Sequence, residues 1–309
     1  MHFNQYLKQC REKVGLTQEQ LAHNLYAFDI DSFSGVQMTT ISKWERAISQ
    51  PKLSRQVDIL RYFQQETGKP LPCMEQYGTK EAEALICETG MHNLILGSNN
   101  KELVLDFAPQ IMTVENLNII SIRHTERIQA MLEITTDIRN STNPGIVQLD
   151  AERMQRWTLY PGNLFWVCLY KGIATGLLFS LKLKPLVFDQ LIRLERRLEG
   201  LQEEDFAALD EAGSHYLLAF FALNNKTAEI LFIRYYAHLI ANQSTIKELG
   251  ATASREEARK ILRNMNLHFA GRYMEGGKEV RSFRETLKNA LACENVVKII
   301  LSKGVCPEE

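Results

Sequence analysis

The sequence predicts a chain of two domains, an all-α domain at the N-terminus followed by a larger α/β domain with a mixed central sheet. Residues 3–66 place apolar side chains at helical spacing. One glycine and two prolines in residues 67–72 then interrupt this periodicity, which is typical of a domain boundary. From Leu117 onward, β-rich runs alternate with amphipathic segments, as in a sheet covered by helices. We therefore divide the chain into a helical domain, a connector with helices and an α/β domain, at residues 1–66, 67–114 and 115–309.

Composition excludes several classes of protein. A formal net charge of −1 and 24% charged residues do not describe a polycationic coat for nucleic acid. Positive charge is local, because residues 34–61 hold five Lys or Arg against two acids, as a site-specific DNA-binding protein needs. No apolar run is long enough to span a membrane, and no signal peptide is evident. The six cysteines have no CxxC pair or ligand spacing, so we expect reduced thiols, no metal site and a cytoplasmic location.

The helical domain contains two short amphipathic segments joined by a loop. In Thr17–Gln20 a hydroxyl residue is followed three positions later by Gln, a capping box that starts a helix and places Leu21 and Leu25 on one face. The second segment has an apolar stripe of Ile41, Trp44 and Ile48. Its other side is rich in side chains that suit hydrogen bonds with bases and phosphates, namely Thr39, Thr40, Ser42, Lys43 and Arg46.

Three motifs identify the family that this domain resembles. Leu7–Arg11, Leu16–Ala22 and Thr40–Arg46, with Pro51 a few residues later, resemble the Xre type helix-turn-helix family, which includes the phage repressors and Cro. The resemblance covers residues 3–66 and implies that the second helix of the motif lies in the major groove. The implied base or groove contacts are Gln37, Thr39, Thr40 and Lys43. The implied contacts to phosphate or to the edge of the site are Gln18 and Arg46, and Ser42 is a further DNA-binding residue on the same side.

Two features of the motif differ from that family. The turn between its helices, Tyr26 to Val36, is several residues longer, and Ala47 stands where the family usually has glycine. Within the motif, Glu45 is expected to pair with an arginine of the same domain, because a carboxylate near phosphate is repelled.

The larger domain reads as a succession of strands and helices. Lys171-Gly172 and Gly276-Gly277 each separate two β-rich runs and predict hairpins. Ser254–Glu257 predicts a capping box. The predicted strands are 118–123, 164–170, 172–183, 215–223, 245–252, 267–273 and 279–284, and the predicted helices are 126–139, 227–241, 254–266 and 285–303.

The order strand, helix, hairpin, strand, helix, strand, helix, hairpin over residues 117–284 resembles the GNAT acyltransferase fold. Further cues are Ile120–Arg123, Ala258 with Leu262, and Leu267–Phe269. The resemblance implies acyl-CoA binding by a glycine-rich turn before a helix whose N-terminus favours anions. The equivalent turn, Leu223–Thr227, has no glycine, and Leu262–Asn264 has no tyrosine at the family's general-acid position. The sequence therefore predicts a GNAT-like domain with no catalytic residues, and it leans against an enzyme.

Candidate ligand-binding residues lie in that turn and on the following helix. Asn tolerates left-handed backbone and Lys226 offers positive charge. The candidates are Asn224, Asn225, Lys226, Thr227, Tyr235 and His238; the alternative is that they are core or interface residues with local partners. We predict no bound cofactor, with acetyl-CoA as the less favoured alternative.

Residues 186–201 repeat apolar side chains at alternating spacings of four and three, about two heptads. The repeat consists of Val187, Leu191, Leu194, Leu198 and Leu201. It predicts either a helix laid on the sheet or a dimer seam. The dimer seam is attractive because helix-turn-helix proteins commonly pair on two-fold symmetric operators.

Together these features predict a sequence-specific transcription regulator, a homodimer on double-stranded DNA, whose GNAT-like domain senses a small ligand or mediates assembly. One alternative is an N-acyltransferase using acyl-CoA fused to a DNA-binding module. Another is an antitoxin or phage-type repressor whose C-terminal part binds only another protein.

Overall fold

The structure, a computed structural model, describes residues 2–67, 117–122, 132–133, 151–293 and 296–297. The predicted connector and most of the predicted helices 126–139 and 285–303 lie outside these residues. In the described part, a helical domain comes first and a seven-stranded sheet with flanking helices follows.

The first domain is all-α, as predicted, and contains five helices. They are α1 (Phe3–Lys13), α2 (Gln18–Phe28), α3 (Ile30–Phe33), α4 (Met38–Glu45) and α5 (Leu53–Thr67). The predicted capping box of α2 is confirmed: the Gln20 backbone N–H donates to Thr17 Oγ1 at 3.1 Å, and the Thr17 N–H donates to Gln20 Oε1 at 2.8 Å. Satisfying these otherwise unpaired donors fixes where the helix begins.

The predicted core of this domain is confirmed for all but one residue. Leu21, Leu25, Ile41 and Trp44 are buried. Ile48 is 62% exposed, so its assignment to the apolar stripe of α4 is wrong. The helix ends at Glu45, and Ala47 then adopts a left-handed backbone (φ 56°) that turns the chain away from the helix axis.

The long turn of the motif contains a helix of its own. Asp29 caps α3 by accepting from the Ser32 N–H at 2.9 Å, and Phe33 is fully buried. Gly35 (φ 79°) then leads into α4 in a conformation that other residues rarely adopt. The additional residues of this turn are therefore an ordered part of the domain.

The α/β domain is built on a mixed sheet of order β1-β2-β3-β4-β5-β7-β6, in which only β4 and β5 are parallel. From β2 onward its order of strands and helices is the one predicted, with an additional short helix between β3 and β4. The strands are β1 (Leu117–Ser121), β2 (Leu164–Tyr170), β3 (Ile173–Leu183), β4 (Gly213–Ala222), β5 (Ile246–Ala253), β6 (His268–Glu275) and β7 (Lys278–Thr286). The helices are α6 (Ala151–Thr158), α7 (Pro185–Ile192), α8 (Asn225–Ala241), α9 (Glu256–Asn264) and α10 (Leu287–Leu291).

Both predicted hairpins are present. Lys171 and Gly172 have φ of 48° and 82°, and Gly276 and Gly277 have φ of 54° and 76°. Positive φ at both central residues matches the twist of the flanking strands. The capping box predicted at Ser254 is wrong, because α9 begins at Glu256 after Arg255, which makes no side-chain cap.

Helices cover both faces of the sheet. α8 packs on one face, in a hydrophobic core that continues into the helical domain. α6 and α7 cover the other face with a second core, which includes Trp157 and Phe188. No helix in the described ranges combines the length and the apolar character needed to cross a bilayer.

The two-heptad helix predicted over residues 186–201 is wrong. α7 ends at Ile192, Leu194 has a left-handed backbone (φ 65°), and residues 198–200 form only a short 3-10 turn. Val187, Leu191 and Leu201 are buried in the core of their own domain. These three are therefore not available to form a dimer seam, whereas Leu194 and Leu198 are only partly buried. Of the two alternatives, a short helix on the sheet is the one observed.

Candidate functional site

A cleft opens where the two parallel strands part. β4 and β5 pair from Gly213 opposite Ile246 to Leu217 opposite Ala251, with a shift of register between Gly213 and His215. β4 then continues to Ala222 and β5 to Ala253 without further pairing between them. A cavity of about 460 Å³ lies there. Its size is within the range of small-molecule sites.

The open edge of β4 is the main feature of this cavity. Residues 219–221 pair with β3 on one side, and on the other side they line the cavity without a strand partner among the described residues. Backbone N–H and C=O groups in such a position need partners. An extended ligand that carries amide groups can supply them by lying along the strand.

Close packing holds the strands together below the cleft. A Cβ atom built on Gly250 of β5 would lie 2.6 Å from Ile192 Cδ1 and 2.7 Å from Phe188 Cζ. α7 therefore sits directly against the paired part of β4 and β5, and only glycine allows this approach. The walls of the cavity are largely apolar. The apolar residues that line it include Leu177, Leu218, Phe220, Phe221, Phe232 and Ile261.

Two pairs of polar side chains also line the cavity. The Tyr216 hydroxyl lies 2.7 Å from Thr252 Oγ1. On β6, the Tyr273 hydroxyl donates to Glu275 Oε2 at 2.9 Å, and Arg197 Nη1 lies 3.6 Å from Glu275 Oε1. Burial, followed by the hydrogen bond to Glu275, raises the pKa of Tyr273, so its phenol stays protonated at neutral pH. The arrangement offers a carboxylate held in place by a phenol and a guanidinium.

Sequence reasoning missed Tyr273 and Glu275. They are two residues apart on β6, so their side chains point to the same face of the strand. This spacing was visible in the sequence, but only the fold shows that this face meets the end of β4.

The turn between β4 and α8 has a different arrangement from a glycine-rich loop. Asn224 caps α8, with its Oδ1 accepting from the Thr227 N–H at 2.8 Å, and the side chains of both residues are buried. Asn225 and Lys226 are exposed at the first positions of the helix. None of these four candidates lines the cavity, although they follow the strand that does.

Tyr235 and His238, the other two ligand candidates, lie within the domain between α8 and the sheet. Tyr235 is 3.4 Å from Ser180 Oγ, which is also 3.0 Å from Nδ1 of the buried His215. The His238 ring lies 5.5 Å from that of His215, and burial, followed by the charge of Lys182, lowers the pKa of His238 to about 4. Tyr235 is buried and His238 is half-buried, and neither lines the cleft. Ligand binding by them stays untested.

A second candidate site is the polar side of α4. Of the residues predicted to contact DNA, four are exposed, namely Gln37, Thr39, Lys43 and Arg46. The other three, Gln18, Thr40 and Ser42, are partly buried. Arg46 Nε donates to the Ser42 carbonyl at 3.2 Å, and the Gln37 N–H donates to Thr40 Oγ1 at 3.4 Å. The helix therefore presents hydroxyl, amide and cationic groups together, while its other side is in the core.

Glu45 anchors this helix from within the domain, as predicted. Its carboxylate accepts from Arg11 Nε at 2.6 Å and Arg11 Nη2 at 3.1 Å. Gln18 Nε2 donates to the same carboxylate at 2.8 Å. Gln18, predicted at the edge of a DNA site, thus has an acceptor inside the protein.

Comparison with known proteins gives similarity of fold only. No family model and no curated protein matches the chain. An N-acetyltransferase from Staphylococcus aureus Mu50 is 15% identical over 56% of this chain and 99% of its own, with a TM-score of 0.37. A ribosomal-protein-alanine N-acetyltransferase from Brucella melitensis is 15% identical over 55% and 99%, with a TM-score of 0.36. An acetyltransferase of the GNAT family from Streptococcus agalactiae is 13% identical over 55% and 95%, with a TM-score of 0.33. At identities this low, activity has to be argued from the residues of the site.

Proposed function

We propose that the chain is an N-acyltransferase domain fused to a DNA-binding domain, with an acyl-CoA thioester bound in the cleft between β4 and β5. The observation that supports this most is the open backbone edge of β4 inside a cavity of about 460 Å³. The pantetheine arm of coenzyme A is an extended chain with amide groups, so it can pair with this edge as an added strand.

The residues of the cleft fit one part of that ligand better than the other. Residues 219–221 would hold the arm through their backbone, between apolar walls. Asn225 and Lys226 begin α8 at the end of the same strand, where the positive end of the helix dipole favours phosphate. Asn224 already occupies the Thr227 N–H, so the phosphates would meet fewer free amides here than in a glycine-rich turn.

Glu275 is the proposed general base. The thioester supplies an activated acyl carbon. Glu275 accepts the proton that a neutral amine loses as the new C–N bond forms and the C–S bond breaks. The released thiolate takes up a proton from water, and the protonated Glu275 returns its proton to water, so that the carboxylate is restored. Tyr273 and Arg197 hold the carboxylate in place. A carboxylate within reach of the attacking amine is the geometric requirement for this role.

The test is thiol release from acetyl-CoA by the full-length protein, with a polyamine, a lysine-containing peptide and a peptide with a free α-amine as acceptors. We expect release with at least one of them. Glu275→Gln should abolish it while calorimetric binding of acetyl-CoA is kept. Equal turnover by the variant and the wild type would show that Glu275 is not the general base.

A sensor without turnover is the second candidate, favoured by the capped, glycine-free turn after β4. Such a domain would bind acetyl-CoA or another amide-bearing ligand and leave it unchanged. Binding without thiol release with any acceptor would favour the sensor over the enzyme.

DNA binding by the helical domain is supported by the exposed polar side of α4, where Lys43 and Arg46 lie beside hydroxyl side chains. Affinity should fall as salt rises, because cationic side chains that neutralise phosphates displace counterions. Dimerisation also stays a proposal, tested by light scattering, and residues 186–201 no longer support it.

Lys43→Ala tests the DNA proposal. It should weaken binding to a duplex selected from a randomised pool by about 1–3 kcal/mol if Lys43 contacts a base. The matched control is Lys13→Ala, which removes an exposed lysine from α1. An equal loss on selected and random duplexes would make Lys43 a backbone contact, and no loss would exclude it from the interface.

A further inference from the structure

Lys288 of the α/β domain contacts the inserted helix of the helix-turn-helix motif. Its Nζ lies 2.7 Å from Ser32 Oγ and 3.1 Å from Asp29 Oδ2. Asp29 and Ser32 are the N-cap and the third residue of α3, which forms the long turn before α4. The part of the motif that departs from the family it resembles thus meets the other domain.

The same ammonium group also contacts α5. Lys288 Nζ lies 2.9 Å from Asp58 Oδ2, whose side chain is only 2% exposed. Within the helical domain, Arg55 Nε donates to the Ser32 carbonyl at 2.7 Å. Burial opposes the charge on Lys288, but its contacts with the carboxylates of Asp58 and Asp29 outweigh this and raise its pKa. Lys288 is therefore a charged bridge between α3 and α5.

Only a few residues separate this bridge from the helix proposed to read DNA. α4 begins at Met38 with Gln37 as its N-cap, five positions after Ser32. The segment between them is restrained by the buried Phe33, whose carbonyl accepts from the Val36 N–H at 3.0 Å. A shift of α3 would therefore be passed to the N-terminal end of α4, where Gln37 and Thr39 lie.

On its other side, the bridge is joined to the cleft. β7 contributes Val280 to the cavity wall and ends at Thr286. Thr286 Oγ1 accepts from the Asn289 N–H at 3.3 Å and so caps α10, which carries Lys288. A single strand thus connects the ligand cavity to the contact with α3.

We propose that Lys288 is a positioning residue for DNA recognition, which sets the orientation of α4 through Asp29, Ser32 and Asp58. The proposal rests on the proposed DNA binding of the helical domain. It assigns to the α/β domain a direct part in presenting the recognition helix, beyond any chemistry in its cleft.

The experiment compares three full-length variants with the wild type. Lys288→Met removes the charge but keeps a long unbranched side chain, and Lys288→Arg keeps a cation at this position. Lys260→Met is the matched control, since it removes a lysine from α9, a helix that packs on β5. The measurements are affinity for a duplex selected by the wild type, and hydrogen exchange of backbone amides in residues 30–45 without DNA.

We expect Lys288→Met to weaken binding about fivefold or more and to speed exchange in residues 30–45. Lys288→Arg should recover most of both, and Lys260→Met should stay within about twofold in affinity. If the wild type binds DNA and Lys288→Met behaves like Lys260→Met, the positioning role is refuted while DNA binding stands. If the wild type selects no duplex, the proposed DNA binding is refuted, and so is a role of Lys288 in recognition. Hydrogen exchange of residues 30–45 then shows separately whether Lys288 orders α4.

Discussion

Replacing Glu45 by Ala removes the acceptor that joins three helices of the helical domain. Arg11 of α1 and Gln18 of α2 both donate to its carboxylate, and Arg11 also donates to the Leu16 carbonyl at 2.8 Å. The side chains of Arg11 and Glu45 are only 12% and 3% exposed. The substitution therefore leaves a guanidinium and an amide without their acceptor in a nearly dry site.

The expected cost follows from that burial. Breaking one partner of a buried ion pair typically destabilises by about 3–5 kcal/mol. We expect the lower end of this range, because Glu12 Oε1 still lies 3.4 Å from Arg11 Nη2. Arg11→Met should cost a similar amount, since it strands the Glu45 carboxylate. The double variant should cost less than the sum of the two by about 0.5–3 kcal/mol, because no stranded charge remains.

Hydrogen exchange of α2 and α4 amides under urea measures the stability of this domain separately from the sheet, which matters because a two-domain chain need not unfold in one step. Lys43→Ala on the same helix is the control and should change stability by no more than about 0.5 kcal/mol. Strictly additive costs for Glu45→Ala and Arg11→Met would refute the coupled ion pair.

Two further predictions concern backbone strain and acidity. Ala47→Gly should stabilise the helical domain by about 0.5–1 kcal/mol in urea unfolding, because Ala47 holds a left-handed backbone (φ 56°) that glycine adopts without strain; a loss of stability would contradict this. His238 is neutral in the folded state with a pKa of about 4 against 6.5 when unfolded, so its contribution is intact above pH 6.5 and is lost as pH falls toward 4. Protonation of His238 on unfolding should therefore lower the wild type's free energy of unfolding by about 2 kcal/mol between pH 7 and pH 5. The free energy of unfolding of His238→Phe should fall by less over the same interval. Equal falls in the two proteins would show that His238 is not the group responsible.

Local signals in the sequence were sufficient for much of the fold. The positions of both hairpins follow from Lys171-Gly172 and Gly276-Gly277, because a two-residue turn needs positive φ that few residue pairs adopt. Periodicity predicted all seven strands and the helices α8 and α9, but it missed the short helices α3 and α6. Glu45 could be assigned to an intradomain pair because a carboxylate is unfavourable next to phosphate. These inferences depend only on residues close in sequence or on general electrostatics.

The sequence led to wrong predictions where the same spacing of apolar side chains can arise from more than one structure. The leucines of residues 186–201 repeat like a coiled coil, yet they come from a short helix, a left-handed Leu194 and a 3-10 turn. Arg196 pairs with Asp205 and holds the chain back on the domain. Ile48 continued the stripe of α4 in sequence, but the helix had already ended at Glu45.

The candidate cleft could not have been assembled from sequence. Its open edge exists because β4 and β5 part after Leu217 and Ala251, which depends on pairing between distant segments. Glu275, on the edge strand β6, lines the same cavity as that edge. Lys288 likewise gains its partners Asp29 and Asp58 only through the packing of two domains.

Calorimetric titration of the full-length protein with acetyl-CoA tests the central claim most directly. A cleft built for an acyl-CoA should bind one equivalent with a dissociation constant on the order of micromolar. Ala258→Phe, which adds a ring to α9 at the cavity wall, should weaken that binding strongly. No heat of binding to the wild type, or equal binding by this variant, would contradict an acyl-CoA site between β4 and β5.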